Sequence, residues 1–127
     1  MAMSRSDPVD SLIPSLVGID PGITALALIV STADGLVARL SDYSGDPQAT
    51  RRWLLGWLMN RLSDWDAEGS VEPATTASFM ALTVRRHSNG QLTLGEFTYG
   101  EAPAAPAEWR SVPTRQLAAH AVEALSR

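Results

Sequence analysis

The longest apolar run in the chain lies between Leu16 and Leu40, and it restricts the fold more than any other segment. Its central part, residues 23–30, reads ITALALIV. Aliphatic and β-branched residues in such a short run, bounded by turn residues, are typical of a buried strand. The boundaries are DPG at 20–22 and ADG at 33–35. Because Asp and Gly suit tight turns between antiparallel strands, we predict a β-hairpin here.

Residues 47–66 form the predicted long central helix. Asp46 and Pro47 are a typical helix start, with a capping residue before a proline in the first turn. At 100° per residue, the large apolar side chains of this segment fall within one stripe about 100° wide, which is the width of a core-facing helix surface. These residues are Leu54, Leu55, Leu58, Leu62 and Trp65. We expect this stripe to face the sheet.

Two tryptophans, Trp53 and Trp57, lie one helical turn apart outside that stripe, beside Asn60 and Asp64. One interpretation is that their rings fold over a neighbouring loop of the same chain, since Trp is mostly buried wherever it occurs. The other is an exposed aromatic patch that binds another subunit. The second interpretation predicts a homodimer, with Trp53 and Trp57 as anchors and Asn60 and Asp64 as a polar rim.

A second hairpin is centred on Asn89-Gly90, the strongest short hairpin signal in the chain. A two-residue loop places Ser88 opposite Gln91. Counting back then pairs Val84 with Gly95, Leu82 with Phe97 and Met80 with Tyr99 on one face. The other face pairs Arg85 with Leu94, Thr83 with Glu96 and Ala81 with Thr98. Because the first face is apolar, we expect burial of Leu82, Val84 and Phe97 against Leu54, Leu58 and Leu62.

The rest of the chain completes an α+β fold class. Residues 101–108 form a Pro/Ala connector, residues 109–112 offer a short final strand, and a closing helix starts at Pro113-Thr114 with Leu117, Ala121, Ala124 and Leu125 on one stripe. We predict an antiparallel sheet of four to five strands, built from two hairpins, with a long central helix and a C-terminal helix. Residues 1–14 are interpreted as a tail or short helix, and residues 15–127 as a single α+β domain.

Composition excludes several classes of protein. The chain has 127 residues, no cysteine and a formal net charge of −4, so disulfides and cysteine-based metal sites are ruled out. The acidic balance argues against non-specific binding of nucleic acid. No apolar run reaches the roughly 18 residues of a membrane helix, and residues 1–10 lack the apolar core of a signal peptide. We therefore interpret the protein as cytoplasmic, with no membrane partner.

The segment Gly18-Ile19-Asp20-Pro21-Gly22 resembles the first strand and turn of the RuvC-type resolvases among the RNase H-like nucleases. That resemblance implies a metal-dependent nuclease in which Asp20 binds a catalytic Mg²⁺. Two-metal chemistry needs several converging carboxylates, and this chain's counterparts of the family's other acids are Glu72, before a proline, and Glu123. Asp20-Pro21-Gly22 is also an ordinary turn sequence. Both interpretations of Asp20 stay open.

The order of elements resembles that of the Roadblock and longin-like domains. A weak N-terminal helix, a hairpin, a long helix, a second hairpin and a closing helix follow one another, and residues 23–39 look like the first hairpin of these domains. The resemblance implies a non-catalytic platform that dimerises largely through its long helix. The poorly formed, proline-rich fifth strand departs from that pattern.

Three functional hypotheses follow. The first is a non-catalytic protein-interaction domain that forms a homodimer or binds an unidentified protein partner, and that has no cofactor and no catalytic residue. The second is the nuclease that uses Asp20, and the third is an immunity-type inhibitor with an acidic surface. His87 and His120 have no second His at ligand spacing, and we interpret both as solvated surface residues.

Overall fold

A computed structural model of the chain describes residues 22–43, 45–68, 76–101 and 109–127. The elements follow one another as β1 (Ile23–Thr32), β2 (Gly35–Asp42), α1 (Pro47–Glu68), β3 (Thr76–Ala77), β4 (Phe79–Arg86), β5 (Leu92–Gly100), β6 (Val112–Pro113) and α2 (Thr114–Leu125). The predicted α+β class, with its long central helix and C-terminal helix, is confirmed. The interpretations of residues 1–14, Asp20 and Glu72 lie outside the described residues.

The main sheet has four antiparallel strands in the order β2-β1-β4-β5. The two hairpins therefore meet through their first strands, and β2 and β5 form the two edges of the four. Among the described strands, the short β3 and β6 pair with each other and with no other strand. The final strand predicted over residues 109–112 is thus two residues long, at Val112–Pro113, and does not extend the main sheet.

The first hairpin turns at Ala33 and Asp34, since Thr32 pairs with Gly35. The Thr32 hydroxyl fixes the turn: it accepts a hydrogen bond from the Asp34 backbone N–H and donates to the carbonyl of Gly35, at 3.1 and 2.9 Å. Gly35 has a φ of 126°, a conformation that favours glycine. The Asp-Gly signal therefore predicted the position of the hairpin, but the two turn residues are Ala33 and Asp34, and Gly35 is the first residue of the return strand.

The second hairpin has three residues at its tip, so the predicted two-residue loop is wrong. His87 N–H donates to the carbonyl of Gln91, and Gly90 N–H donates to the carbonyl of His87, at 2.9 and 2.8 Å. A two-residue type I′ turn needs positive φ at both central residues, whereas Gly90 has a φ of 88° and no described residue other than glycine has positive φ. Val84 consequently pairs with Leu94 and Arg85 with Thr93, not with Gly95 and Leu94 as predicted.

A β-bulge at Gly95 then restores the predicted register. Beyond the bulge, the observed pairs are Thr83–Glu96, Leu82–Phe97, Ala81–Thr98 and Met80–Tyr99, as the sequence predicted. A Cβ atom on Gly95 would lie only 2.6 Å from Thr83 Oγ1 and 2.7 Å from Ile23 Cδ1. The bulge position therefore requires glycine for space. The extra loop residue and the bulge residue compensate each other, so the apolar side chains stay on the core face.

Both helices pack on the same face of the sheet. Leu54, Leu58 and Trp65 of α1 are fully buried in one cluster with alternate residues of β1 and β4. Leu117, Ala121 and Leu125 of α2 complete this cluster, while Ala124 is half-buried. Two predicted core residues, Leu62 and Phe97, are only half-buried, because each lies at the margin of the cluster.

The two helices run antiparallel, and charged residues join them at both ends. Arg51 Nη1, near the start of α1, donates to the carbonyls of Ala124 and Leu125 at 3.4 Å. A guanidinium at that position complements the negative end of the α2 dipole. At the other end, Asp66 forms an ion pair with Arg115. Asp66 lies near the negative, C-terminal end of α1, and Arg115 lies near the positive, N-terminal end of α2, so each charge is unfavourable by itself. The ion pair compensates for both unfavourable positions.

The two central strands are buried on both faces. Leu26, Leu28 and Val30 of β1, with Phe79 and Ala81 of β4, point away from the helices and are at most 5% exposed. Burial on both faces removes the alternation of apolar and polar residues that a half-buried strand shows. This is why residues 23–30 read as a continuous apolar run.

Candidate interaction surface

The flank of α1 that carries the tryptophans borders β5. Trp53 and Trp57 are half-buried and pack against the hydrophobic core, whereas Asn60 and Asp64 are exposed. The tryptophans therefore do not lie on a face that the core leaves unused, which the second interpretation had assumed. The exposed side of α1 is centred instead on residues such as Gly56 and Met59, the latter 53% exposed.

Aromatic rings continue from this helix onto the edge of the sheet. Trp57 meets Phe97 with ring centroids 5.0 Å apart and an interplanar angle of 68°, an edge-to-face contact. Phe97 in turn meets Tyr99, with centroids 5.2 Å apart. We name Trp53, Trp57, Phe97 and Tyr99 the aromatic strip. All four are half-buried, so each packs inside the chain and keeps part of its surface exposed.

Arg61 lies beside the aromatic strip. Its guanidinium carbon is 5.1 Å from the centroid of the Trp57 ring and 6.0 Å from that of Phe97, within the range of cation–π attraction. Its Nε atom is buried without a hydrogen-bond partner. The guanidinium of Arg61 therefore lies close to both rings, and cation–π attraction to them favours this position.

Strand β5 places the strip at the rim of the sheet. Among the described strands, β5 is the last of its sheet and is paired on one side only, with β4. Its side chains toward the helices are apolar and half-buried: Leu92, Leu94, Phe97 and Tyr99. Edge strands of natural proteins are usually protected by lysine, proline or bulges. Here the bulge at Gly95 protects one half, and residues 96–100 form a regular run.

The interface predicted from the sequence comprises Trp53, Trp57, Asn60 and Asp64, which lie along one flank of α1. Their role in an interface stays a prediction. The predicted interface did not include Phe97, Tyr99 or Arg61. The available signals were the i, i+4 spacing of Trp57 and Arg61 on one helix and the alternation of Phe97 and Tyr99 on one strand.

The described residues contain no arrangement suited to metal chemistry. In those parts of the chain, no three His, Asp or Glu side chains lie close enough to hold a metal ion. Glu123 is exposed and its carboxylate lies 4.0 Å from His120 Nδ1. His87 forms a 2.8 Å hydrogen bond with the Thr93 hydroxyl at an exposed position. The nuclease hypothesis depends on Asp20, which the described residues do not include.

A small apolar recess lies between the first hairpin and the end of α2. Its volume is about 80 Å³, well below the roughly 300 Å³ at which small-molecule sites begin. Its lining includes four alanines, Ala27, Ala38, Ala121 and Ala124, together with Arg51 at its rim. The recess results from small side chains at the helix–hairpin contact and does not have the size of a substrate site.

Comparison of the chain with known protein families, curated proteins and solved structures finds no match. Among the described residues, no helix has the length and apolar character needed to cross a membrane. The Roadblock-like resemblance and the cytoplasmic location stay predictions.

Proposed function

We propose that this chain is a non-catalytic protein-interaction domain that forms a homodimer through the aromatic strip. The observation that supports this most directly is the position of the strip. Three aromatic side chains and an arginine, residue types enriched in the centres of protein interfaces, form a half-buried chain of contacts at an edge of the sheet: Trp57, Phe97, Tyr99 and Arg61. Trp53 is half-buried one helical turn before Trp57.

Because Trp53 and Trp57 are half-buried, they can pack within their own chain and also contact a second subunit. The Trp57 ring is held in place by Phe97 within the same chain, so little side-chain entropy remains to be lost when a partner covers its outer part. Asn60 and Asp64 are exposed on the same flank, where they would form the polar rim. A second copy presents the same patch, which is the requirement for a two-fold symmetric contact.

Sedimentation equilibrium across a range of concentrations tests the proposal. We expect a reversible monomer–dimer equilibrium for the wild type. Asn60→Arg places a long charged side chain on the rim and should weaken the dimer, whereas Ser63→Arg, on the exposed side of the same helix, should not. The two variants add the same residue to the same helix, so a difference between them reports position.

A wild type that remains monomeric at several hundred micromolar would contradict the proposal. So would a dimer that Asn60→Arg and Ser63→Arg weaken equally, since the contact would then not lie on the tryptophan flank. Circular dichroism melting curves of both variants establish that the monomers are equally folded.

A further inference from the structure

We propose that two copies associate through antiparallel α1 helices, with Arg61 of each copy paired with Asp64 of the other. This inference rests on the homodimer proposed above and specifies which charged groups form its contact. Three observations support it: two charges of opposite sign without ion-pair partners on one flank of α1, the direction of the Arg61 side chain, and the register in which this flank maps onto itself.

Arg61 and Asp64 both lack an ion-pair partner among the residues that the structure describes. Asp64 is exposed. Arg61 is half-buried, and its Nε atom is buried without a hydrogen-bond partner. Cation–π attraction to Trp57 and Phe97 uses none of the N–H donors of the guanidinium. One flank of α1 therefore carries a cation and a carboxylate that are both available to another molecule.

The Arg61 side chain points along α1 toward Trp57 and away from Asp64. Its guanidinium carbon lies 5.1 Å from the centroid of the Trp57 ring, which belongs to the preceding helical turn. This is the direction in which long side chains of helices usually point. Asp64 follows in the next turn, and no ion pair joins it to Arg61 within the chain. The two charges are thus separated along the helix axis.

A two-fold axis midway between Asn60 and Arg61 maps this flank onto itself. At 100° per residue, its members lie within about 100° of one another around α1: Trp57, Asn60, Arg61 and Asp64. In an antiparallel pair with this axis, Trp57 lies opposite Asp64 of the second copy. Because the Arg61 guanidinium lies beside Trp57, it meets that carboxylate. The symmetry forms the ion pair twice.

The arrangement of the charges favours a second copy as the partner. A surface that complements this flank must present a carboxylate and a guanidinium in the reverse order, and a copy related by a two-fold axis does so. Arg can pair with a carboxylate while it remains close to an aromatic ring. The same register places Asn60 opposite Arg61 of the second copy, which is why Asn60→Arg should weaken the dimer.

The contact is short, so we expect a weak dimer. In this register the helices overlap from Trp53 to Glu68, about 24 Å. Trp53 and Trp57 are already half-covered within their own chain, which leaves less area than in a standard interface. We expect a dissociation constant above about 10 μM. Melting experiments at about 1 μM therefore report the monomer.

Charge reversal in two separate variants tests the ion pair. Asp64→Arg places two guanidinium groups in each of the two contacts, and Arg61→Glu places two carboxylates there. Like charges that face each other in an interface are strongly unfavourable, so each variant alone should raise the dissociation constant at least about tenfold in sedimentation equilibrium. Circular dichroism establishes that both variants are folded.

An equimolar mixture of the two variants should form a dimer again. In the mixed dimer, Arg61 of the first variant faces Asp64 of the second, and the introduced arginine faces the introduced glutamate. Both contacts then join opposite charges, and we expect a dissociation constant within about threefold of the wild-type value. A local effect of either substitution on its own chain would not be reversed by the other chain.

Arg52→Glu is the matched control. Arg52 is exposed on α1 outside this flank, and its substitution changes the net charge by the same amount as Arg61→Glu. Alone, it should leave the dissociation constant close to the wild-type value. Mixed with Asp64→Arg, it should not restore the dimer, because one contact still joins two guanidinium groups. Equal recovery in both mixtures would mean that net charge drives the association, and would overturn the inference.

The remaining outcomes separate the two proposals. If the wild type sediments as a dimer but the mixture of Asp64→Arg and Arg61→Glu does not recover, the ion pair is wrong and the homodimer stands. If the wild type is monomeric, both proposals fail.

Arg61→Gln keeps the inference testable if Arg61→Glu does not fold. Mixed with Asp64→Arg, it retains one Arg61–Asp64 pair and has no like-charge contact. We expect this mixture to associate at least about threefold more tightly than Asp64→Arg alone. Equal dissociation constants would contradict the pairing.

Discussion

Trp57 presents its ring to that of Phe97 in an edge-to-face contact, with centroids 5.0 Å apart. The two residues are separated by 40 positions in the sequence, and their contact ties the long helix to the edge strand of the sheet. The guanidinium carbon of Arg61 lies 5.1 Å from the centroid of the Trp57 ring and 6.0 Å from that of the Phe97 ring. The proposed interaction surface therefore exists only when α1 and β5 are correctly packed.

The Trp57–Phe97 contact can be measured by a double-mutant cycle. We expect the losses in free energy of unfolding caused by Trp57→Ala and Phe97→Ala to be less than additive in the double variant. The expected coupling energy is about 0.5–1.5 kcal/mol, the usual stabilisation by an aromatic pair beyond its buried area. Urea unfolding of the wild type, the two single variants and the double variant measures it, at a protein concentration where each is monomeric. Additive effects would show that the two rings contribute independently.

Leu58→Ala should be strongly destabilising. Leu58 is fully buried between α1 and the sheet, and truncating a buried leucine removes apolar contacts and leaves a cavity. We expect a loss of about 2–5 kcal/mol in the free energy of unfolding. Met59→Ala, at the adjacent and 53% exposed position, should change it by less than about 0.5 kcal/mol. Similar losses for both variants would mean that the outer side of α1 is covered.

Two glycine-to-alanine substitutions should have opposite effects on the free energy of unfolding. Gly95→Ala forces a Cβ atom to within 2.6 Å of the buried Thr83 side chain, and we expect it to cost about 1–3 kcal/mol by overpacking. Gly56 lies in the exposed interior of α1, with open space where a Cβ would be. Gly56→Ala should therefore stabilise the protein by about 0.5–1 kcal/mol. Chemical denaturation compares the two, and a neutral Gly95→Ala would show that the bulge can relax.

The Asp66–Arg115 ion pair should make a small part of the stability depend on pH. The hydrogen bond from Arg115 holds the pKa of the Asp66 carboxyl below its ordinary value of 3.8. The carboxylate therefore stabilises the fold above that value, and the contribution is lost as the pH falls through the lowered pKa of the folded state. The melting temperature of Asp66→Asn should lie below that of the wild type at pH 7, and the difference should disappear as the pH falls below 3.8 and through the lowered pKa of the folded state.

Asp64→Asn, on the opposite flank of the same helix, is the matched control for this effect. Both residues are exposed, so the expected difference is small at either position. A melting-temperature difference for Asp66→Asn that stays constant from pH 7 to pH 2 would show that the substitution acts through something other than the ionised carboxylate.

Local features of the sequence were enough to predict most elements. The eight-residue apolar run gave β1, the Asp46-Pro47 pair marked the start of α1, and Thr114 began α2 as predicted. The pairs Leu82–Phe97 and Met80–Tyr99 were also predicted correctly. The reason is physical: apolar periodicity and turn residues act within a few positions, so one segment carries the information that determines its own conformation.

The tertiary structure decided the features that join distant segments. Alternation alone could not show that the turn has three residues, because the loop residue and the Gly95 bulge cancel in the count between strands. Periodicity placed Trp57 outside the core stripe, but it could not show that Phe97 comes within 5.0 Å of it. A helical wheel defines directions around one axis, whereas the neighbour in each direction is set by how the helix packs across the sheet.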